Sequence, residues 1–256
     1  MTITLAIFLG LVQGIAEFLP ISSSGHLILF QRLLNLPEDM MLFNIILHVA
    51  TLLAVLIVFR KRIWQLVKKP FQKTNFALLI ATIITVSFVL IFKDFIDRTM
   101  GASVLPFTFM ITAVILVIAS FLQDRPRKTN LINTGNVTYT SSIATGFAQG
   151  LAVIPGFSRS GFTITAGLAS GLDKERAAEF SFLMSIPIII AALAYELVSN
   201  PIPTNIAPTP VIFGFIAALL SGIFAIKFML HIIKNVKLYW FSVYLIILSI
   251  ITLIIL

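Results

Sequence analysis

Residues 13–25 read QGIAEFLPISSSG, and residues 149–161 read QGLAVIPGFSRSG. Laid over one another without a gap, six of the thirteen positions are identical, and several others exchange one apolar residue for another. Each stretch runs apolar, breaks at Pro or Gly, and ends in hydroxyls, the pattern of a helix that stops and restarts. The copies differ where chemistry would want different groups. Glu17 stands opposite Val153 and Ser23 opposite Arg159, whereas Ser22 and Ser24 stand opposite Ser158 and Ser160.

The surroundings say what kind of helix this is. The chain is 59% hydrophobic and only 11% charged, with a mean hydropathy of +1.05, which places it among integral membrane proteins. Six segments read as full spans: 41–59, 75–92, 104–122, 177–198, 209–232 and 238–256. The regions 1–36 and 139–172 are apolar but broken midway by PISSSGH at 20–26 and PGFSRSG at 155–161. Backbone freed by such a break cannot face lipid, so it must be buried in protein or line a wet cavity. Two re-entrant helical hairpins satisfy that demand. The first apolar run lacks a basic start and a small-residue cleavage site, and it carries Gln13 and Glu17, so it reads as part of the mature fold rather than a signal peptide.

Each half is then one broken hairpin followed by three spans, and an odd number of spans reverses the second half. The expected fold is an all-α integral membrane protein, an inverted-topology repeat of six transmembrane helices plus two re-entrant helical hairpins. A single membrane domain over 1–256 divides into a first repeat, 1–128 with its hairpin at 1–36, and a second, 129–256 with its hairpin at 139–172. In that architecture broken helices meet near the bilayer midplane around a shared site.

Charge gives the orientation. Arg60, Lys61, Arg62, Lys68, Lys69, Lys73, Arg125, Arg127, Lys128, Lys174, Arg176, Lys234 and Lys237 fall on one side, and only Arg32, Lys93 and Arg98 on the other. The basic side is expected to be cytoplasmic, with both termini outside. The formal charge of +8 therefore reads as topology and not as nucleic-acid binding. The absence of cysteine removes disulfides, thiolate nucleophiles and Cys-based metal sites.

An arginine at membrane depth needs an anionic partner. For Arg159 that partner is either Glu17, in a structural pair, or a phosphate, to which a guanidinium donates two parallel hydrogen bonds. Its neighbours suit a phosphate. Gly156 and Gly161 allow close backbone approach, Ser158, Ser160 and Thr163 offer hydroxyls, and a helix starting near Gly161 would present free N–H groups. Gln13 and Glu17, four apart, share one helix face, and alone such a pair is more often interhelical glue than a site. Ser22, Ser23, Ser24 and His26 add hydroxyls with an imidazole close by, the parts of an activated nucleophile, although serines at a helix start are commonly caps. His48 and Thr51 either line the cavity or bond between helices, and Glu179 reads as a solvated carboxylate near a helix start. Trp64, Tyr239 and Trp240 read as interfacial anchors and Pro187 as a kink.

VQGIAEFLPISSSGH and PGFSRSGFT resemble the two signature segments of the BacA-type undecaprenyl diphosphate phosphatases, the bacitracin-resistance proteins of bacterial inner membranes. HVATLLAVL and FSFLMSIP extend the resemblance over nearly the whole chain. It implies removal of the terminal phosphate of undecaprenyl diphosphate at the outer face, which recycles the lipid carrier for peptidoglycan synthesis. By motif position it implies Glu17, Ser23, His26 and Arg159 as catalytic, with Ser22, Ser24, Ser158, Ser160 and Thr163 as supporting groups on the substrate, where Gly156 and Gly161 are expected beside them for the close approach they allow. Many members carry a second glutamate where this chain has Gln13. Glu17, helped by the Gln13 carbonyl, is then expected to hold a divalent cation, Mg2+ or Ca2+, or to orient His26 as base for Ser23. His26 or water as nucleophile stays open. Expected partners are the prenyl lipid substrate and membrane lipid, with a homodimer left open. The competing reading is a transporter or flippase of an anionic prenyl lipid, which would need binding groups but no hydroxyl, imidazole and carboxylate gathered in one hairpin.

Overall fold

The computed structural model describes residues 1–36, 40–124, 137–199 and 208–256, and within them every regular element is helical. The helices are α1 (Ile3–Phe18), α2 (Ser23–Leu33), α3 (Met41–Val58), α4 (Arg60–Lys68), α5 (Lys73–Ile91), α6 (Lys93–Arg98), α7 (Leu105–Gln123), α8 (Tyr139–Leu151), α9 (Arg159–Ala169), α10 (Lys174–Ser199), α11 (Pro208–Ile232) and α12 (Tyr239–Ile255). Four of them, α5, α7, α10 and α11, are long and apolar enough to cross a membrane. A fifth span arises if α3 and α4 count together, although the chain bends by 76° between them. α12, with 17 residues, falls short of the roughly 20 that a perpendicular crossing takes.

Both expected breaks are present. α1 stops because Pro20 has no N–H to continue the ladder and holds Leu19 in an extended conformation at φ −74°, ψ 146°. α8 stops at Leu151, before Pro155 and Gly156, whose φ of +87° is a turn that glycine adopts freely. The restarts match position for position. Ser22 caps α2 by accepting from the Gly25 N–H at 3.2 Å, and Ser158 caps α9 by accepting from the Gly161 N–H at 3.1 Å.

Packing follows the same correspondence. α1 lies along α11 and α8 lies along α5, while α7 pairs with α12 and α10 with α3. Gly10 and Gly14 make the α1 contact, Gly10 against the Gly214 carbonyl and Gly14 against Ser221 and Ala218. Gly146 and Gly150 do the same for α8 against Ala81 and Phe88 of α5. Small residues four apart let two helix backbones approach, the main source of association where lipid is as apolar as leucine. Buried hydroxyls close the remaining polar gaps: Thr85 donates to the Gly146 carbonyl at 3.0 Å and Ser249 to the Pro106 carbonyl at 2.6 Å. The outer surface of α5, α7, α11 and α12 is instead studded with exposed Leu, Ile and Phe, among them Leu90, Phe121, Phe224 and Ile254, as lipid contact requires.

The basic loops gather through ion pairs. Arg62 of α4 bonds Glu179 of α10 at 2.9 Å, Lys234 bonds Glu175 at 3.0 Å, and Lys237 bonds Asp124. Glu179 is therefore paired rather than simply solvated. Trp64 is exposed beneath Lys68, and Tyr239 and Trp240 sit side by side at the start of α12. Arg125, Arg127, Lys128 and the expected seam between repeats at 128/129 lie outside the described residues.

Candidate active site

The two breaks bring α1, α2 and α9 together at a cavity of about 650 Å3. Glu17, Ser23, Ser24, His48, Ser158 and Arg159 supply part of its polar lining, and Val49, Val153, Phe157, Ile188 and Leu193 part of its apolar wall. Such a mixture suits an amphiphile with a charged head and a hydrocarbon tail.

Glu17, near the end of α1 and almost fully buried, is the hub. One carboxylate oxygen accepts from Gln13 Nε2 at 3.1 Å and from Ser23 Oγ. The other accepts from Arg159 Nη2. Ser23 and Arg159 are each the first residue of their helix, so the same capped restart that ends each break aims its side chain at Glu17. His48, one turn along α3 from Asn44, places Nε2 3.9 Å from Glu17 and lines the cavity, so of its two readings the structure selects the first. Thr51 turns away, donating to the His48 carbonyl at 2.9 Å.

Two buried atoms at this hub lack partners among the described residues: Gln13 Oε1 and Arg159 Nη1. A carboxylate can only accept, so the amide of Gln13 must turn its NH2 to Glu17 and its carbonyl away. An unpartnered buried polar atom is unfavourable by about 1–3 kcal/mol, and such atoms concentrate where a ligand completes them. A free acceptor beside a carboxylate fits a hard cation, and a free guanidinium N–H fits an anion.

The other expected residues divide. Ser22, Ser24 and Ser158 line the cavity, while Gly156, Ser160, Gly161 and Thr163 lie behind it. Ser160 Oγ donates to the Leu19 carbonyl at 3.2 Å, which ties α9 to the end of α1. Thr163 bonds the Arg159 carbonyl at 2.8 Å and Ser181 at 2.5 Å. Of the N–H groups expected to be free at the start of α9, that of Ser158 bonds Thr112 and that of Gly161 bonds the Ser158 hydroxyl, which leaves those of Arg159 and Ser160.

His26 also departs from expectation. Its Nδ1 bonds the Ser22 carbonyl at 2.7 Å and its Nε2 bonds Tyr244 Oη at 2.6 Å, so neither ring nitrogen serves Ser23. The proton acceptor in contact with Ser23 is Glu17. Tyr244 has no motif around it. Its only sequence signal is a phenol in the middle of the apolar run FSVYLIIL. Ser22 itself holds φ +71°, ψ 98°, a conformation that is unfavourable by about 1–3 kcal/mol for a residue with a Cβ.

A family model described as bacitracin resistance protein BacA matches residues 6–251, nearly the whole chain and both halves of this site. The chain belongs to the BacA family. Relatives of this BacA-family chain carry the name undecaprenyl-diphosphatase. The one from Carboxydothermus hydrogenoformans is 45% identical over 244 residues, covering 93% of this chain and 92% of its own. The one from Treponema denticola is 42% identical over 261 residues, covering 96% and 94%. A third, from Christiangramia forsetii, is 37% identical over 252 residues, covering 93% and 92%. The matches span both broken helices, so the BacA-family likeness includes the Glu17 hub and is not confined to one half.

Proposed function

We propose that the chain is an undecaprenyl-diphosphate phosphatase, hydrolysing undecaprenyl diphosphate to undecaprenyl phosphate and inorganic phosphate. This recycles the lipid carrier for peptidoglycan synthesis and underlies bacitracin resistance. The observation that carries the reading is the convergence of Ser23 and Arg159, from two separate broken helices, on one carboxylate at the wall of a largely apolar cavity. A lipid carrier would need the arginine but not the hydroxyl bonded to a carboxylate, and family membership agrees.

Arg159 holds the diphosphate. A phosphate oxygen takes the unpartnered Nη1 and competes with Glu17 for Nη2, so binding leaves the carboxylate free to accept the Ser23 proton. Ser23 Oγ attacks the terminal phosphorus, the P–O bond to the prenyl phosphate breaks, and the proton passes to Glu17. Water then attacks the phosphoserine, inorganic phosphate leaves, and Glu17 returns the proton to Ser23. The apolar wall takes the first part of the prenyl chain, which leaves sideways into lipid.

A divalent cation, Mg2+ or Ca2+, fits the donor set. Glu17 and the free Gln13 Oε1, both hard oxygens, would hold it together with phosphate oxygens of the substrate, since no group of three His, Cys, Asp or Glu stands together among the described residues. When bound, the ion supplies neutralisation of the diphosphate charge.

The finer architecture belongs to the same proposal. Six spans with two re-entrant hairpins, related as an inverted repeat, are supported by the matching caps and the exchanged pairings of α1 with α11 and α8 with α5. The end gathering Arg62, Lys234 and Lys237 faces the cytoplasm of a bacterial cell, and the cavity opens towards the outer face. Phosphate release from undecaprenyl diphosphate by the purified protein, with and without chelator, tests the function. No release under any metal condition, together with lipid scrambling in vesicles, would replace it with the carrier.

A further inference from the structure

His26 has no step in that mechanism, yet it is buried and bonded on both sides. Its partners say what it does. The Ser22 carbonyl accepts twice from His26, from the backbone N–H at 3.3 Å and from the ring at 2.7 Å. A carbonyl only accepts, so Nδ1 carries the hydrogen, and in the neutral ring Nε2 accepts from the Tyr244 phenol at 2.6 Å. The two rings lie nearly parallel, 9° apart with centroids at 5.7 Å, and Phe109 meets the imidazole edge-on from α7 at 5.7 Å. The ring is pinned from two other helices and cannot swing towards Ser23 without losing both hydrogen bonds.

What it grips is the strained residue. Ser22 has a left-handed φ of +71°, and the next residue is Ser23, whose hydroxyl reaches Glu17 only because the chain turns there. Without a brace on the Ser22 carbonyl, the turn would relax towards ordinary φ and carry Ser23 away. We propose that His26, oriented by Tyr244, is a positioning residue that holds the Ser22 turn so that Ser23 points at Glu17. It takes no proton from the nucleophile. The proposal rests on the phosphatase reading for its readout.

Substitutions separate a brace from a base. Asparagine places an N–H donor where Nδ1–H stands but has no acid–base function, whereas glutamine reaches the Nε2 position. His26→Asn should keep turnover within about tenfold of the parent, while His26→Gln and His26→Ala should lose about 100-fold, the size of a misplaced reacting group. Tyr244→Phe should lose about five- to tenfold, one hydrogen bond's worth of orientation. Glycine adopts positive φ freely, so Ser22→Gly added to His26→Ala should regain about tenfold, a rescue no missing base could give. All are measured as kcat on purified protein, with KM and elution as a folded species recorded alongside. His26→Asn as inactive as His26→Ala, with no gain from Ser22→Gly, would overturn the brace. If His26→Asn fails to fold, or the two arms disagree, the double variant decides by recovery or its absence. A parent protein that releases no phosphate would instead sink the phosphatase reading, an outcome the variants cannot imitate.

Discussion

Ser23 and Arg159, 136 positions apart and equivalent in the two copies of the repeat, hold opposite oxygens of the same carboxylate, Glu17. A membrane helix bears a charge only with a partner, and here the shared partner brings a serine hydroxyl and a guanidinium to one place. Of the two readings of Arg159, the pair with Glu17 is present at Nη2, while Nη1 is left without a partner among the described residues.

Arg159→Lys keeps the charge but loses the fork that bonds Glu17 through Nη2 and leaves Nη1 for the proposed phosphate. The loss of a hydrogen bond to a charged group should lower kcat/KM by about 10- to 100-fold. Near-normal activity in steady-state assays would count against the arginine as the diphosphate's anchor.

Glu17→Gln removes the charge that faces Arg159 and the acceptor of the Ser23 proton. Breaking a buried pair from one side destabilises by about 3–5 kcal/mol, so thermal unfolding in detergent should shift downwards. Activity should fall by at least about 100-fold, the contribution of a positioned base. A variant that is stable and active would contradict the hub.

The breaks at Pro20 and Pro155–Gly156, the capped restarts and the Glu17, Ser23 and Arg159 trio were legible because each has a local cause: a missing N–H, a hydroxyl at a helix start, a charge in an apolar run. His26 was legible as a polar residue of the first break but not in its hydrogen bonds. Its direction depends on Tyr244, 218 positions away, and on a positive φ at Ser22 that serine does not advertise as glycine would. Nor did hydropathy show that α4 turns by 76° from α3, because Arg60 to Arg62 marked only where the apolar run ends.

Gln13→Leu keeps the size of the side chain and removes the free amide oxygen beside Glu17. If that oxygen helps hold the cation, the Mg2+ or Ca2+ concentration for half-maximal activity should rise by about tenfold, with little change at saturating metal. Unchanged metal dependence in a titration after chelation would remove Gln13 from the ligand set.

Gly14→Val should disrupt the packing of α1 on α11, since a side chain there meets Ser221, the Ala218 carbonyl and Gly222. Overpacking of this kind is unfavourable by about 1–3 kcal/mol, and a lower thermal midpoint should report it. An unchanged midpoint would mean that the two helices are not in close contact.

The most direct test of the hub is to follow the terminal phosphate. With substrate labelled there and the reaction quenched within a turnover, the label should be recovered on Ser23, and Ser23→Ala should neither retain label nor turn over. Label on His26, or full turnover by Ser23→Ala, would contradict the assignment of Ser23 as the nucleophile served by Glu17 and Arg159.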